Sequence, residues 1–511
     1  MDPALNRSLV FIGFMGAGKS TAAKHAATLL GVNCSDSDDL IEAASGMTAA
    51  QHFEAHGEPA FREAEEKEVL GLLAEPPQII SLGGGSLGSP AVVEALENHV
   101  TVLLDVDLDV AWARIQGSDR PLGRDRAAFE ELFHEREYDY REIADANLSS
   151  SDWAVVSAAI PSLVAMAHGE SASLRLLWAA GPGGGYPVWV GANALADAPW
   201  PLPDESRRFV VSDSNVGELY AGQVPQIAGL IEFEAGEKFK TLKTAESVWD
   251  ALVEQKATRA DHVVAVGGGV VGDLAGFCAA SFQRGVPVIQ VPTTLVAQVD
   301  SAFGGKTGVD LPQAKNYIGA YHQPAAVIVD PAVLASLSPD EMAAGYAEVV
   351  KTALIGGGLL WRRVSAGEPV DEQIIRECAR VKLGVVAADE RDDGPRQKLN
   401  LGHTIGHAIE TATGYSQLRH GEAISLGLLA ALRISDAPEL REQVRALLDA
   451  AGLPTTLPGL DVEAVLAATS LDKKRLTGEV PFVCCSEPGE VHYGVEVDPE
   501  VVRAAVEELA A

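Results

Sequence analysis

Short apolar runs alternate with amphipathic stretches over the first third of the chain. Positions 9–13, 79–82 and 100–104 are continuous hydrophobic runs of strand length, whereas 20–30, 48–73 and 127–144 repeat their apolar residues at helical spacing. Strands apolar on both faces, interleaved with helices, predict a parallel sheet covered by helices. The periodicity fades over Gly169-Glu170-Ser171-Ala172-Ser173, which predicts a linker at 169–173 after a first domain at 1–168. The cluster Gly181-Pro182-Gly183-Gly184-Gly185 reads as a turn or loop. Strand-like runs return at 208–212, 262–266, 286–291 and 326–329, predicting a second α/β domain over 174–335. Beyond Pro339 the spacing is helical at 341–355, 372–388, 403–413 and 422–434, so 336–511 is expected to be an all-helical domain. The fold class is α/β throughout the first two domains, with helices alone in the third.

Composition narrows the partners. The 511 residues are 47% hydrophobic and 22% charged, with a formal net charge of −33. That balance argues against nucleic acid or an anionic membrane as partner, since both need a positive field. Cys34, Cys278, Cys378, Cys484 and Cys485 form no C-x-x-C pair, so neither a disulfide framework nor a thiolate zinc site is expected. No apolar run reaches the roughly 18 residues of a membrane span. The apolar stretch 9–15 runs directly into a glycine-rich motif and reads as a strand, not a signal peptide, so a cytoplasmic protein is expected.

That motif is Gly13-Phe14-Met15-Gly16-Ala17-Gly18-Lys19-Ser20, a G-x-x-x-x-G-K-[ST] phosphate loop between a strand and a helix. Backbone N–H groups of Gly16, Ala17 and Gly18 through Thr21 would face phosphate oxygens, Lys19 would meet the outer phosphates, and Ser20 would ligate Mg²⁺. ATP with Mg²⁺ is therefore the expected cofactor. Four further features follow: Asp36-Ser37-Asp38, Phe61-Arg62, Leu82-Gly83-Gly84-Gly85, and the arginines of Asp119-Arg120-Pro121-Leu122 and Tyr140-Arg141. Another small P-loop kinase, for gluconate or a nucleotide, is the alternative. Together these residues resemble shikimate kinase over nearly all of 1–168. The resemblance implies that Asp38, Arg62, Gly84, Gly85 and Arg141 hold shikimate and that Asp38 orients or deprotonates its 3-hydroxyl. It also implies Asp36 near Mg²⁺ and Arg120, on a lid, against the transferred phosphoryl group.

The second half carries Gly267-Gly268-Gly269-Val270-Val271-Gly272-Asp273 after an apolar run, without G-x-G-x-x-G spacing. Glu348 and Lys351 lie one turn apart, His403 and His407 stand at i, i+4, and His420 follows. One carboxylate plus two imidazoles is the ligand set of a catalytic zinc, and here three histidines compete for two places. Gln283-Arg284-Gly285, Asp300 to Lys306, Lys315-Asn316, Lys382, Arg396 and Lys473-Lys474 gather cations around glycine-rich turns, which suits a phosphorylated acid.

The stretches around 267–273, 291–301, 304–309, 345–351 and 402–407 resemble 3-dehydroquinate synthase, over about 174–511. The resemblance implies Zn²⁺, with Co²⁺ as the alternative, on Glu348, His403 and His420. It implies NAD lined by Asp213, Asn215, Glu237, Lys240, Gly268, Gly269, Val270, Asp273, Thr293, Thr294 and Lys315. The substrate, 3-deoxy-D-arabino-heptulosonate 7-phosphate, would meet Arg284, Asp300, Lys306, Asn316, Lys351, Lys382, Arg396, Asn400, His407 and Lys473 or Lys474. Lys306, Lys351 and His407 would be catalytic, His407 in proton transfer; Asp392 stands where family members can carry a Glu. The implied reaction oxidises C5, eliminates phosphate, returns the hydride and closes a carbocycle, recycling NAD. A homodimer through this half is also implied. The competing reading, a glycerol-dehydrogenase-like oxidoreductase, would leave so many cations without a task.

Overall fold

In a computed structural model, the described residues are 5–116, 125–169, 173–181, 185–200, 206–312, 314–415, 417–473 and 481–511. They divide into two compact units, Met1–Pro201 and Leu202–Ala511.

The strands of the first unit are β1 (Leu9–Ile12), β2 (Cys34–Asp36), β3 (Ile79–Ser81), β4 (Val100–Leu104), β5 (Ala146–Leu148), β6 (Arg175–Ala179) and β7 (Tyr186–Val190). Their order is β2-β3-β1-β4-β5-β6-β7, parallel except for β7, which runs antiparallel to β6. Every residue of β1, β3 and β4 is buried, the pattern of strands covered on both faces. Each Val, Leu, Ile or Phe so buried contributes about 1.5–3 kcal/mol. This unit extends past the linker expected at 169–173, because β6 pairs with β5 (Ala146↔Leu176) and brings β7 with it. The expected helix at 48–73 is broken at Gly57 (φ 78°, ψ 170°), two residues before Pro59. Left-handed φ at a glycine followed by Pro59 is a natural stop and restart.

The strands of the second unit are β8 (Arg208–Asp213), β9 (Ile227–Phe233), β10 (His262–Gly267), β11 (Val288–Pro292) and, after the separate hairpin β12 (Lys306–Leu311) and β13 (Ala314–Tyr321), β14 (Ala326–Val329). The parallel order is β14-β11-β10-β8-β9. Helix α1 (Gly269–Ser281) packs Val271, Leu274, Ala275 and Cys278 against Phe209, Val211, Val263 and Ala265. Its small residues allow the close approach that a glycine-rich turn into a helix requires.

The rest is built around α2 (Pro339–Gly356), α3 (Glu372–Ala388), α4 (His403–Ala412) and α5 (His420–Ile434). In α5, Ala423 through Leu432 are all buried, so it is the central helix of this part. The expectation of helices alone fails at β15 (Phe482–Glu487) and β16 (Glu490–Val495), an antiparallel hairpin turning at Pro488-Gly489, with Gly489 at φ 95°. Among the described residues no helix is long and apolar enough to cross a membrane.

Candidate functional site

In the first unit the phosphate loop leaves β1 with Gly13, Gly16 and Gly18 at φ 140°, 83° and 93°. A Cβ at Gly16 would lie 2.5 Å from the Ala111 carbonyl oxygen and one at Gly18 2.5 Å from Ser151 Oγ, so both positions require glycine. The buried Lys19 ammonium folds over the loop and donates to Gly13 O (2.9 Å) and Phe14 O (3.2 Å). Ser20 Oγ donates to Asp36 Oδ2 at 2.6 Å, and Asp36 Oδ1 accepts from the Asp38 amide. Hydroxyl and carboxylate are thus already joined where a magnesium ion would be shared. Thr21 is exposed on the next turn.

Beside the loop lies a recess of about 520 Å³, lined by Arg62, Glu65, Gly84, Gly85, Arg136 and Tyr140 among others. Arg62 pairs with Glu65 (2.6 Å) and lies so close to Gly85 that a Cβ there would meet Nη1 at 2.0 Å. Gly84 O accepts from Arg136 Nη1 (2.8 Å) and Tyr140 OH (2.5 Å); burial pushes that tyrosine hydroxyl up to about 12. Asp38 approaches the same segment, its Oδ1 3.0 Å from where a Gly83 Cβ would be.

Arg141 does not line this recess. It pairs with Glu137 (2.5 Å) and Asp105 (3.4 Å) instead. Arg136 and Tyr140 are four apart on the helix Arg126–Ile143 and share a face, whereas Arg141 is rotated about 140° from Arg136. The i, i+4 pair Arg136 and Tyr140 faces the recess, where Arg141 was expected from the sequence. Arg120 lies outside the described residues.

In the second unit β10 ends in Gly267, and Gly268 caps α1, placing Gly269 and Val270 in its first turn. A Cβ at Gly268 would lie 2.8 Å from Thr294 Cγ2. The Thr293 amide donates to Gly267 O, while its buried hydroxyl oxygen has no hydrogen-bond partner among the described residues. Thr294 Oγ1 accepts from the Ala297 amide. Nearby, buried Lys240 reaches Glu237 (3.2 Å), Asp273 (3.2 Å) and Asn316 Oδ1 (2.6 Å). Burial pushes the Asp273 carboxyl up to about 6, which Lys240 only partly offsets. Asp213 Oδ1 accepts the amides of Asn215 and Val216 beyond β8.

Asn316, expected against substrate, accepts from Lys240 beside Asp273. Lys315, expected against NAD, turns to Glu410 (3.5 Å). Both lie on β13, where successive side chains point to opposite faces, and Asn316 has φ 53°.

The structure gathers Glu348, His403 and His420, their ligand atoms all within 4.8 Å of one another. Glu348 Oε1 lies 3.2 Å from His420 Nε2 and 3.7 Å from His403 Nε2. Tetrahedral ligands at about 2.1 Å from a zinc ion would be separated by about 3.4 Å, so these residues fit such an ion. Both Glu348 carboxylate oxygens are buried and neither accepts a well-formed hydrogen bond among the described residues, although Lys351 Nζ lies 2.5 Å from Oε2. Burial opposes charge on His420, but the Glu348 and Glu410 carboxylates outweigh it and raise its pKa to about 9. His407 belongs to a second grouping, with Glu410 and His420. Its ring is exposed, 5.1 Å from that of His403 and 5.9 Å from that of His420.

Three cations, Lys351, Lys382 and Arg396, are buried in this unit, Lys351 against Glu348. Asp300 Oδ1 holds Lys382 (2.5 Å) and Lys351 (3.5 Å), and Arg396, 2% exposed, donates to Gly304 O at 3.1 Å. Lys306 is half-exposed and pairs with Asp392, whose φ is 67°. Asn400 is half-buried at the end of the turn Pro395–Asn400. Arg284 is exposed. Lys473 ends the helix Val462–Lys473, but its side chain, like Lys474, lies outside the described residues. Glu410, three residues beyond His407 and seven beyond His403 on one helix face, escaped the sequence reading.

The first unit thus presents a P-loop phosphotransferase site, and the second a phosphate-binding turn beside a cation site ringed by buried lysines. Comparisons agree. Residues 15–160 match the family model "Shikimate kinase", 230–344 that of "3-dehydroquinate synthase N-terminal" and 345–475 that of "3-dehydroquinate synthase C-terminal". The 3-dehydroquinate synthase of Symbiobacterium thermophilum is 43% identical over 350 residues, 63% of this chain and 98% of that protein. That of Halorhodospira halophila is 44% identical over 336 residues, 62% of this chain and 94% of the relative. A solved 2-deoxy-scyllo-inosose synthase, complexed with carbaglucose-6-phosphate, NAD⁺ and Co²⁺, superposes with a TM-score of 0.59 at 27% identity, covering 66% of this chain and 100% of that one. The chain belongs to the 3-dehydroquinate synthase family and carries a shikimate kinase domain ahead of the synthase.

Proposed function

We propose that both halves are active: the first phosphorylates shikimate with ATP and Mg²⁺, and the second converts 3-deoxy-D-arabino-heptulosonate 7-phosphate to 3-dehydroquinate and phosphate. The observation that carries the reading is Glu348, His403 and His420 converging beside Lys351 and Lys382, a metal set next to an anion cradle.

In the kinase half Lys19 binds the outer phosphates, Ser20 and Asp36 hold Mg²⁺, and Asp38 takes the hydroxyl proton. Arg62 and Arg136, facing one recess, clamp the acceptor carboxylate, and Arg141 serves the helix. Arg136→Ala should lower kcat/KM for shikimate roughly 30- to 150-fold, the 2–3 kcal/mol of a charge-assisted contact, while Arg141→Ala stays within about threefold. Steady-state kinetics with shikimate as the varied substrate check this; equal losses in the two variants would remove the distinction.

In the synthase half, Glu348, His403 and His420 hold Zn²⁺ or Co²⁺, and residues around Gly268, Asp273 and Lys240 hold NAD. When bound, the metal supplies a Lewis acid and NAD a hydride acceptor regenerated within the cycle. Lys351, Lys382, Lys306 and Arg396 bind the phosphorylated acid, Asp300 fixes two of these lysines, and His407 moves the proton. A homodimer through this half belongs to the same reading, and light scattering that returns the mass of one chain would overturn that part.

The direct test incubates the protein with the heptulosonate phosphate, NAD and Zn²⁺. Phosphate release should require NAD, vanish with a chelator and return with Zn²⁺, while kinase turnover survives chelation once Mg²⁺ is in excess. Release that persists after the metal is shown to be gone excludes the assignment.

A further inference from the structure

Both proposed histidine ligands turn Nε2 toward Glu348, so each must dispose of its Nδ1 elsewhere. His403 Nδ1 lies 3.2 Å from the Leu401 carbonyl oxygen. His420 heads α5 and finds no such backbone partner among the described residues; its Nδ1 faces Glu410 Oε1 at 3.6 Å. Resting on the metal-site reading above, we propose that Glu410 is a positioning residue for His420, held in place by Lys315. No family motif or relative described above assigns it a role.

Three observations carry this. Glu410 is 4% exposed on a helix whose neighbouring Ile405, Gly406, Ala408 and Ile409 are buried, a costly place for a carboxylate unless it is paired. The same oxygen meets His420 Nδ1 and, at 3.5 Å, Lys315 Nζ. Lys315 is itself braced, its ammonium 4.6 Å from the centre of the Tyr415 ring, and Tyr415 donates its amide to Glu410 O at 2.8 Å.

A carboxylate beside Nδ1 keeps the proton on that nitrogen and leaves the Nε2 lone pair for a cation. Such an outer partner fixes ring orientation and raises ligand basicity, and its loss typically costs 10- to 100-fold in metal affinity. At 3.6 Å the contact is electrostatic; a shift of about half an ångström makes it a hydrogen bond.

Because Glu410 also groups with His407 and His420, the competing role is that of direct ligand. The test uses the full chain, stripped of metal and titrated with Zn²⁺ against a chromophoric chelator, with the visible spectrum of the Co²⁺ form as second readout. Glu410→Gln should still take one metal, but 10- to 100-fold more weakly and with displaced Co²⁺ bands, and Glu410→Asp should recover part of the loss. Affinity within twofold of the parent, with unchanged bands, overturns the positioning role. Loss of binding as complete as in His420→Ala makes Glu410 a ligand and also overturns it. A parent chain that binds no metal at all would instead sink the site reading itself. If Glu410→Gln does not fold, Lys315→Met carries the test: a loss of threefold or more is expected, and an unchanged affinity rejects the proposal.

Discussion

Replacing Lys19 with alanine should abolish shikimate phosphorylation and leave dehydroquinate formation near its parent rate. The ammonium is buried over the phosphate loop, held by Gly13 O and Phe14 O, so it is already positioned for the outer phosphates. Removing one such preorganised donor costs roughly 100- to 1000-fold in kcat. The synthase residues fall in Leu202–Ala511 and the loop in Met1–Pro201, each with its own core. Both activities are measured on one preparation whose fold is checked by circular dichroism. Loss of both in a folded variant contradicts the independence of the halves.

The second large effect separates the histidines. His420→Ala should purify nearly free of zinc, since its Nε2 lies 3.2 Å from Glu348 Oε1 and two protein ligands rarely hold zinc tightly. His407→Ala should keep one zinc per chain yet lose turnover, because its exposed ring lies outside the Glu348 grouping. Elemental analysis of both proteins decides. An empty His407→Ala beside a full His420→Ala would reverse the ligand set.

What sequence made legible was local. Continuous apolar runs located β1, β3 and β4, and fixed glycine spacing located the phosphate loop, because both are dictated by neighbours in the chain. Side-chain direction was not so available. Arg136 and Arg141 are both helical arginines, and only the angle between them decides which faces the recess. Lys315 and Asn316 turn to different partners, Glu410 and Lys240, which their order in the chain does not reveal. Glu410 was hidden because a glutamate in a helix is ordinary until the helix is seen to bury it. The hairpin at β15 and β16 was in principle readable from its turn, but the helical rhythm before it dominated.

The buried cations Lys351, Lys382 and Arg396 belong to a chain whose net charge is −33, and this has a kinetic consequence. An approaching phosphate first feels the anionic surface and meets attraction only at contact. Salt, with a Debye length of about 10 Å at 0.1 M, mutes the far repulsion while buried groups are screened much less. Encounter with the anionic sugar should therefore quicken as ionic strength rises from very low values, opposite to an enzyme that steers its substrate electrostatically.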